Sequence, residues 1–276
     1  MTIHSDWGDW LPEAIAEADP DGVDLWYLGC NGFVIKSADG TTLFIDPYLG
    51  TGDPPRTVRM IPVPFDPTDV SEADAVLATH EHTDHVHGPS QAPILEATDA
   101  EFYGPDASVT VTREEDWTEK WDIEPSQITE VDDGETFELG DLQITAEPAN
   151  DPDAEHPVAY IIEHEAGTFV HGGDARPGEF ERIGREYDVD AAALAFGSTG
   201  MIPDKQTREP KRTTWYNDEN MIIEAANELG ADRLLPTHWD MWKGLTADPT
   251  VLHNHANSFP APETISVIEI GDRLSL

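Results

Sequence analysis

The stretch from Ala73 to His85, ADAVLATHEHTDH, constrains this chain more than any other. Its first half is an apolar run of strand length, consistent with a buried strand. Its second half crowds histidine: His80, His82, His85 and His87 fall within ten positions and share them with Asp84. Alternate histidines in a tight loop just past a strand can converge on one cation, and Asp84 with His85 can then face a second site beside it. Neutral imidazole and carboxylate are the mixed nitrogen and oxygen donors that first-row divalent metals favour. A lone histidine at a strand end would more simply be a polar loop residue, but three in this spacing with an aspartate point to metal. One loop cannot complete a coordination shell, so other strand ends should supply ligands.

The rest of the chain offers those strand ends. A first helix is expected over residues 6–18, with Trp7, Trp10, Leu11, Ala14 and Ile15 on one stripe. VDLWYLG, GFVIKS and TTLFID read as strands, the last two joined by the turn ADG. Residues 50–70 are rich in proline and read as an ordered loop. After the histidine loop come a helical segment, a strand AEFYG and a second helical segment from Val109 to Trp117. The middle is β-rich: SQITEV, GETFELG, DLQITAEPA, PVAYIIEH and GTFVHGGD. The last third alternates a helix near 178–186, a strand DAAALAFG, a helix DENMIIEAANELG, a strand DRLLPTH and a helix near 248–258. It closes with an expected hairpin, TISVIEIGDRLSL. Strand runs in both halves, each followed by helices, suggest an α/β layered sandwich in one domain spanning 1–276.

Charge sets the environment. Fifty-six Asp and Glu against fifteen Lys and Arg give a formal net charge of -41, dispersed along the chain with only five lysines. A compact body so charged repels itself in dilute buffer. At ~1 M salt the screening length falls to about 3 Å and the repulsion largely disappears. The composition resembles that of proteins from salt-accumulating halophiles. A single cysteine, Cys30, excludes an internal disulfide framework and fits a reducing, cytoplasmic setting; its simplest reading is a small buried hydrophobe. No apolar stretch approaches a membrane span, and the acidic, tryptophan-bearing N-terminus does not read as a targeting segment.

Two further strand ends stand out. FVHGGDARP places Asp174 after a strand and two glycines, where the backbone can turn and present a carboxylate. LLPTHWDMW places His238 at the end of an apolar strand. With HxHxDH, these make the chain similar to the metallo-β-lactamase superfamily, whose αββα fold of two mixed sheets flanked by helices carries such residues at strand ends. Within it the chain most resembles the L-ascorbate-6-phosphate lactonase (UlaG-like) family, through WGDWL, WYLGCNGFVIKS, ADAVLATHEHTDH, VHGGDA, DVDAAALAFGSTG and LPTHWDMWKGLTADP. It is shorter than that family in the 50–70 loop and lacks an extended C-terminal tail. The resemblance implies that His80 and His82 bind one metal site and Asp84 and His85 the other, with Asp174 bridging and His238 completing the second. It also implies that Asp46 braces the histidine loop from behind. Most superfamily members offer another histidine where this chain reads AEPANDPDAEHPVAY. Asp151 is the ligand expected there, and His156 is the alternative if the loop folds back.

The implied cofactor is one or two divalent ions, Mn or Zn, with Fe also tolerated by the donor set. Open coordination on such an ion lowers the pKa of bound water and polarises the bond under attack. The expected activity is therefore a hydrolase of lactonase type, opening a lactone or ester of a small substrate, phosphorylated or not, by metal-bound hydroxide, with Asp84 orienting that hydroxide or taking its proton. A phosphodiesterase or nuclease on the same fold, or a non-catalytic metal-binding member, are the alternatives. Lys205, Arg208, Lys211 and Arg212 lie within eight positions and could capture a phosphate group; equally, they could form a solvated loop paired with nearby acids. Arg56 and Arg59 are further candidates for that role. A net charge of -41 opposes broad nucleic-acid binding, no membrane association is expected, and homo-oligomerisation is implied only by the resemblance. His87, His164, His171, His253 and His255 lie outside the motif and read as loop, strand and helix side chains.

Overall fold

Along β1 (Val23–Gly29) every residue is buried, and the two faces go to different places. Val23, Leu25 and Tyr27 enter one apolar cluster, while Trp26 and Leu28 enter another. The period of two repeats in β2 (Gly32–Ser37), β3 (Thr42–Ile45) and β4 (Ala75–Leu77), where Phe33, Ile35, Leu43, Ile45, Ala75 and Leu77 join the first cluster and Val34, Phe44 and Val76 the second. Strands buried on both faces need no polar side, which is why these runs are mostly apolar. The computed structural model describes residues 3–54, 57–203 and 207–276.

The first sheet has seven strands in the order β16-β1-β2-β3-β4-β5-β6, with β5 (Glu101–Gly104), β6 (Ile128–Glu130) and β16 (Arg273–Ser275). It is antiparallel from β16 to β3 and parallel from β3 to β6. Its β4–β5 and β5–β6 crossovers carry helix α2 (Gly88–Thr98), then α3 (Asp106–Glu114) and α4 (Trp117–Lys120). Ile94, Leu95, Val109 and Trp117 of these helices fill the outer cluster. The second sheet runs β15-β14-β11-β10-β9-β8-β7. Its members are β7 (Glu135–Leu139), β8 (Leu142–Pro148), β9 (Val158–His164), β10 (Gly167–His171), β11 (Ala191–Ala195), β14 (Arg233–Thr237) and β15 (Thr264–Ile265). Here the antiparallel part is β7 to β10 and the parallel part β10 to β15. Helices α5 (Phe180–Glu186), α6 (Glu219–Leu229) and α7 (Leu252–Ala256) cover its outer face through Phe180, Ile183, Ile222, Ile223, Ala226, Leu229 and Leu252. The architecture is the expected sandwich of two mixed sheets flanked by helices. Helix α6 shows the local logic: Asp218 caps its N-terminus by accepting from Asn220 N and Met221 N, and Gly230 ends it at φ 65°.

Several expectations need correction. The first helix, α1, covers only Trp10–Ala16; Gly8 at φ 79° breaks the preceding turn, and buried Lys36 Nζ donates to the carbonyls of Ile15 and Ala16 at its C-terminus. The helices near 178–186 and 248–258 shorten to α5 and, after a 3-10 turn at Pro249–Val251, α7. The closing hairpin does not form. β15 pairs in parallel with β14, and the chain then crosses between sheets so that β16 pairs with β1, where Arg273 and Ser275 bind Asp24. Covering the β1 edge takes precedence over the local turn signal at Gly271 and Asp272. A separate antiparallel pair, β12 (Thr199–Pro203) with β13 (Pro210–Thr214), was not expected. No helix among the described residues is long and apolar enough to cross a membrane.

Candidate metal centre

The residues singled out by spacing leave the C-terminal ends of different strands at one edge of the sandwich: Asp46 after β3, the histidine loop after β4, Asp151 after β8, Asp174 after β10 and His238 after β14. Asp46 sits at the base. Its amide extends the ladder to Leu77 O at 2.9 Å, and its fully buried carboxylate accepts from Thr79 N at 2.8 Å, Thr79 Oγ at 2.7 Å and His85 Nδ1 at 2.7 Å. Because the single Thr79 hydroxyl proton goes to Asp46, Thr79 Oγ accepts from His80 Nδ1 at 3.0 Å. Nδ1 of both imidazoles is therefore engaged as a donor, and each ring turns Nε2 inward. Gln91 donates to His85 O at 2.7 Å and steadies the loop from α2.

Asp174 reaches the same space because the chain turns at Gly173, φ 55°, where an added Cβ would stand 2.8 Å from Thr79 Oγ. Its two oxygens face opposite ways. Oδ2 lies 3.9 Å from His80 Nε2; Oδ1 lies 3.5 Å from His85 Nε2 and 3.8 Å from His238 Nε2. On the first side His80 Nε2 is 2.9 Å from His82 Nδ1 and 3.8 Å from Asp151 Oδ2. On the second, His238 Nε2 is 3.2 Å from Asp84 Oδ2, which also accepts from Trp242 Nε1 at 3.2 Å. Donors on one tetrahedral ion with ~2.0–2.1 Å bonds stand about 3.3 Å apart, so these separations suit one ion on each side of Asp174. Among these donors, His85 Nε2 and Asp151 Oδ2 are buried without a hydrogen-bond partner. Buried polar atoms without partners are costly, and inward-facing ones of this chemistry fit a cation. The donor groups thus fit divalent metal.

The electrostatics agree. Burial, helped by charge on His85, pushes His80 down to about 3, leaving the neutral imidazole that ligation requires. Burial alone would raise the Asp84 carboxyl, but the His238 hydrogen bond and charge on His85 and His238 outweigh it and hold it below the usual carboxylate range. The same contest, won by charge on His85 and His238, lowers Asp174. Burial also opposes charge on His85, yet Asp174 and Asp46 raise it. Burial raises Asp151, and the Asp153 amide and His82 offset that only in part. Four carboxylates, Asp46, Asp84, Asp151 and Asp174, thus surround four imidazoles and favour added positive charge.

His156 is excluded from the cluster: its side chain is 74% exposed and bonds Asp106 Oδ1 at 2.8 Å, leaving Asp151 in place. His87 bonds Ser90, His164 bonds Asp141 and His255 faces Asn220, all outside the donor groups. His171 supports from beneath, with Nε2 2.7 Å from Asn31 O. Arg208, Lys211 and Arg212 lie on the exposed β12–β13 arm rather than among the donors. Lys205 and Arg56 lie outside the described residues. Arg59 is corrected outright: its guanidinium donates to the carbonyls of Ile61, Tyr48, Gly50 and Pro62 and is spent tying together the proline-rich loop.

Four residues that the spacing did not suggest also reach the centre. Asn31 donates to Asp174 Oδ1 at 3.0 Å and accepts from Thr237 Oγ at 2.5 Å. Cys30 lies beside His238, Trp242 holds Asp84, and the Tyr216 ring stacks on His238 with centroids 4.0 Å apart. The one available signal was the pair of glycines bracketing Cys30–Asn31, which marks a tight turn; nothing local marks Tyr216.

A family model described as the beta-lactamase superfamily domain matches residues 41–239. Over 296 aligned residues the chain is 27% identical to the probable L-ascorbate-6-phosphate lactonase UlaG of Escherichia fergusonii, covering 90% of this chain and 79% of the relative. Igni18, a metallo hydrolase from the archaeon Ignicoccus hospitalis, superposes with a TM-score of 0.66 at 22% identity over 92% of this chain and 98% of that one. The diiron β-hydroxylase CmlA of Streptomyces venezuelae superposes equally, at 0.66 and 18% identity, over 94% of this chain and 55% of that one. These last two likenesses establish the shared fold alone. With the family model spanning the strand ends that carry the donors, the chain belongs to the beta-lactamase superfamily of metallo-β-lactamase fold.

Proposed function

We propose that the protein is a metal-dependent hydrolase of lactonase type, opening a lactone or ester of a small substrate, phosphorylated or not. The observation that carries this reading is the arrangement about Asp174. His80, His82 and Asp151 gather about one oxygen, His85 and His238 face the other, and Asp84 joins that second side through His238. In this reading each group holds a divalent ion, Mn or Zn, with Fe compatible with the same donors. Such an ion supplies an activated water nucleophile at neutral pH and polarises the bond under attack. Asp46 and Thr79 fix the tautomers of His80 and His85. Asp84, kept ionised and fastened by Trp242, is placed to take the proton of the attacking water. The relationship to UlaG supports a lactone substrate. CmlA, a hydroxylase on the same fold, shows why the reaction must be argued from the site.

A cavity of about 450 Å³ lined by Asn150, Pro152, Arg176, Pro177, Gly178, Met221, Glu224 and Glu228 lies beside the loops bearing Asp151 and Asp174. That size suits a small ligand. The test is elemental analysis of protein kept in multimolar KCl, followed by acid release from a lactone panel in a pH-stat. Bis(p-nitrophenyl) phosphate serves as the competing substrate class. Metal-dependent lactone opening that falls at least about 100-fold in Asp84→Asn supports the reading. No retained metal after Mn or Zn is offered, or undiminished turnover in Asp84→Asn, overturns it.

A further inference from the structure

Cys30 occupies an unusual place. It is the first residue of the two-residue turn between β1 and β2, flanked by paired Gly29 and Gly32, and its φ is 59°. A turn with positive φ at its first central position ordinarily takes glycine there. A side chain at that position is strained. The residue is fully buried, and its carbonyl accepts from His238 N at 2.7 Å, which pins the turn to the end of β14. On one side the thiol packs with Tyr48, Met241 and Trp242. On the other its Sγ stands 3.4 Å from His238 Nε2, the atom that faces Asp84 Oδ2 at 3.2 Å. Sγ, the Asp84 carboxylate and the His238 imidazole all lie within 4.8 Å of one another.

These separations can be compared with coordination. Bonds of ~2.3 Å to sulfur and ~2.0–2.1 Å to nitrogen or oxygen at tetrahedral angles place sulfur about 3.5 Å from nitrogen, and nitrogen about 3.3 Å from oxygen. The observed 3.4 and 3.2 Å match both. A second sign comes from His85, fully buried with an unpartnered Nε2, which with Asp174 forms a donor group that shares His238 with Cys30 and Asp84. We infer that Cys30 Sγ is a ligand of the ion held by Asp84 and His238, so that this half of the centre contains a thiolate. The inference rests on the metal-centre reading above. As the sulfur–metal bond forms, the thiol proton is released to solvent. A soft thiolate would select Zn or Fe over Mn on this side, while the His80, His82 and Asp151 side keeps only nitrogen and oxygen donors.

The experiment is titration of the metal-free full chain with Co(II) in multimolar KCl, read by absorbance, for wild type, Cys30→Ser and Cys30→Gly. Glycine suits the backbone of the turn, so that variant keeps the fold testable. The expected result is a near-ultraviolet thiolate-to-cobalt charge-transfer band in wild type that both variants lack, while visible ligand-field bands persist in all three. Zn affinity on this side should fall at least about tenfold in Cys30→Ser, because losing a direct ligand costs no less than losing a residue that only orients one. Visible bands without a charge-transfer band in wild type would overturn the Cys30 assignment and leave the nitrogen and oxygen centre standing. Failure of wild type to bind cobalt at all would overturn both.

Discussion

Asp46→Asn is the substitution that separates bracing the loop from tuning the metal. Asp46 is fully buried at φ 46°, a conformation asparagine tolerates, so the backbone should survive the change. Its Oδ1 holds Thr79 N, and its Oδ2 receives both Thr79 Oγ and His85 Nδ1. Asparagine can keep the Thr79 N bond with its carbonyl, but its NH2 then faces His85 Nδ1. To avoid two opposed N–H groups, His85 must move its proton to Nε2, the very atom that faces Asp174 at 3.5 Å. Metal binding must then reverse that tautomer without a carboxylate behind it. Loss of such a partner typically weakens affinity about 10- to 100-fold, or about 1.4–2.7 kcal/mol. Asp46→Ala is the poorer choice, because stranding the buried Thr79 N–H adds about 1–3 kcal/mol of folding cost to the same readout. The assay is Zn affinity by competition with a chromophoric chelator in molar KCl, with nitrogen chemical shifts of His85 reporting the tautomer. If Asp46→Asn binds Zn within about twofold of wild type, well short of that range, Asp46 only fastens β3 to the loop and the argument fails.

Two other predictions are independent of metal. Asp141, in the β7–β8 turn, ties the sheets together: it accepts from Ser37 Oγ at 2.5 Å and Thr41 Oγ at 3.0 Å, and His164 Nε2 lies 3.2 Å away. Burial pushes its carboxyl up, but the Ser37 and Thr41 hydrogen bonds outweigh that and lower it. A carboxyl lowered in the folded state stabilises above its unfolded pKa, near ~3.9, and that stability is lost as pH falls through the folded value. Asp141→Ala should therefore cost about 2 kcal/mol at neutral pH, with the gap in urea midpoint closing below about pH 4; a gap that persists there counts against the carboxylate as its source. The net charge of -41 predicts a melting temperature that falls as KCl drops from multimolar to ~0.1 M, where the screening length grows to about 10 Å. A melting temperature independent of KCl would remove the case for salt adaptation.

The parts of this molecule that could be read in advance are those whose meaning is local. Mostly apolar runs of strand length such as VDLWYLG and GFVIKS announce buried strands, and HxHxDH announces donors because its members lie within six positions. Asp174 and His238 were legible for the same reason: each ends an apolar strand, and parallel strands deliver their C-terminal ends to one edge. What failed to show is what depends on the sheets meeting. The Gly271–Asp272 turn looks like a hairpin until the β1 edge captures β16, and β12–β13 is hidden because an exposed arm of Lys, Arg and Pro has no core to impose alternation. Cys30 is the sharpest case. Taken by itself it is a small buried hydrophobe; its contact with His238 spans 208 positions and exists only because the β1–β2 turn of one sheet abuts the end of β14 in the other. On the inference drawn above, the same convergence that makes HxHxDH a site also makes Cys30 a donor to it. A cysteine held where glycine would be easier, with its sulfur at ligand distance from an imidazole, is better explained by the ion it would bind than by the apolar surface it buries.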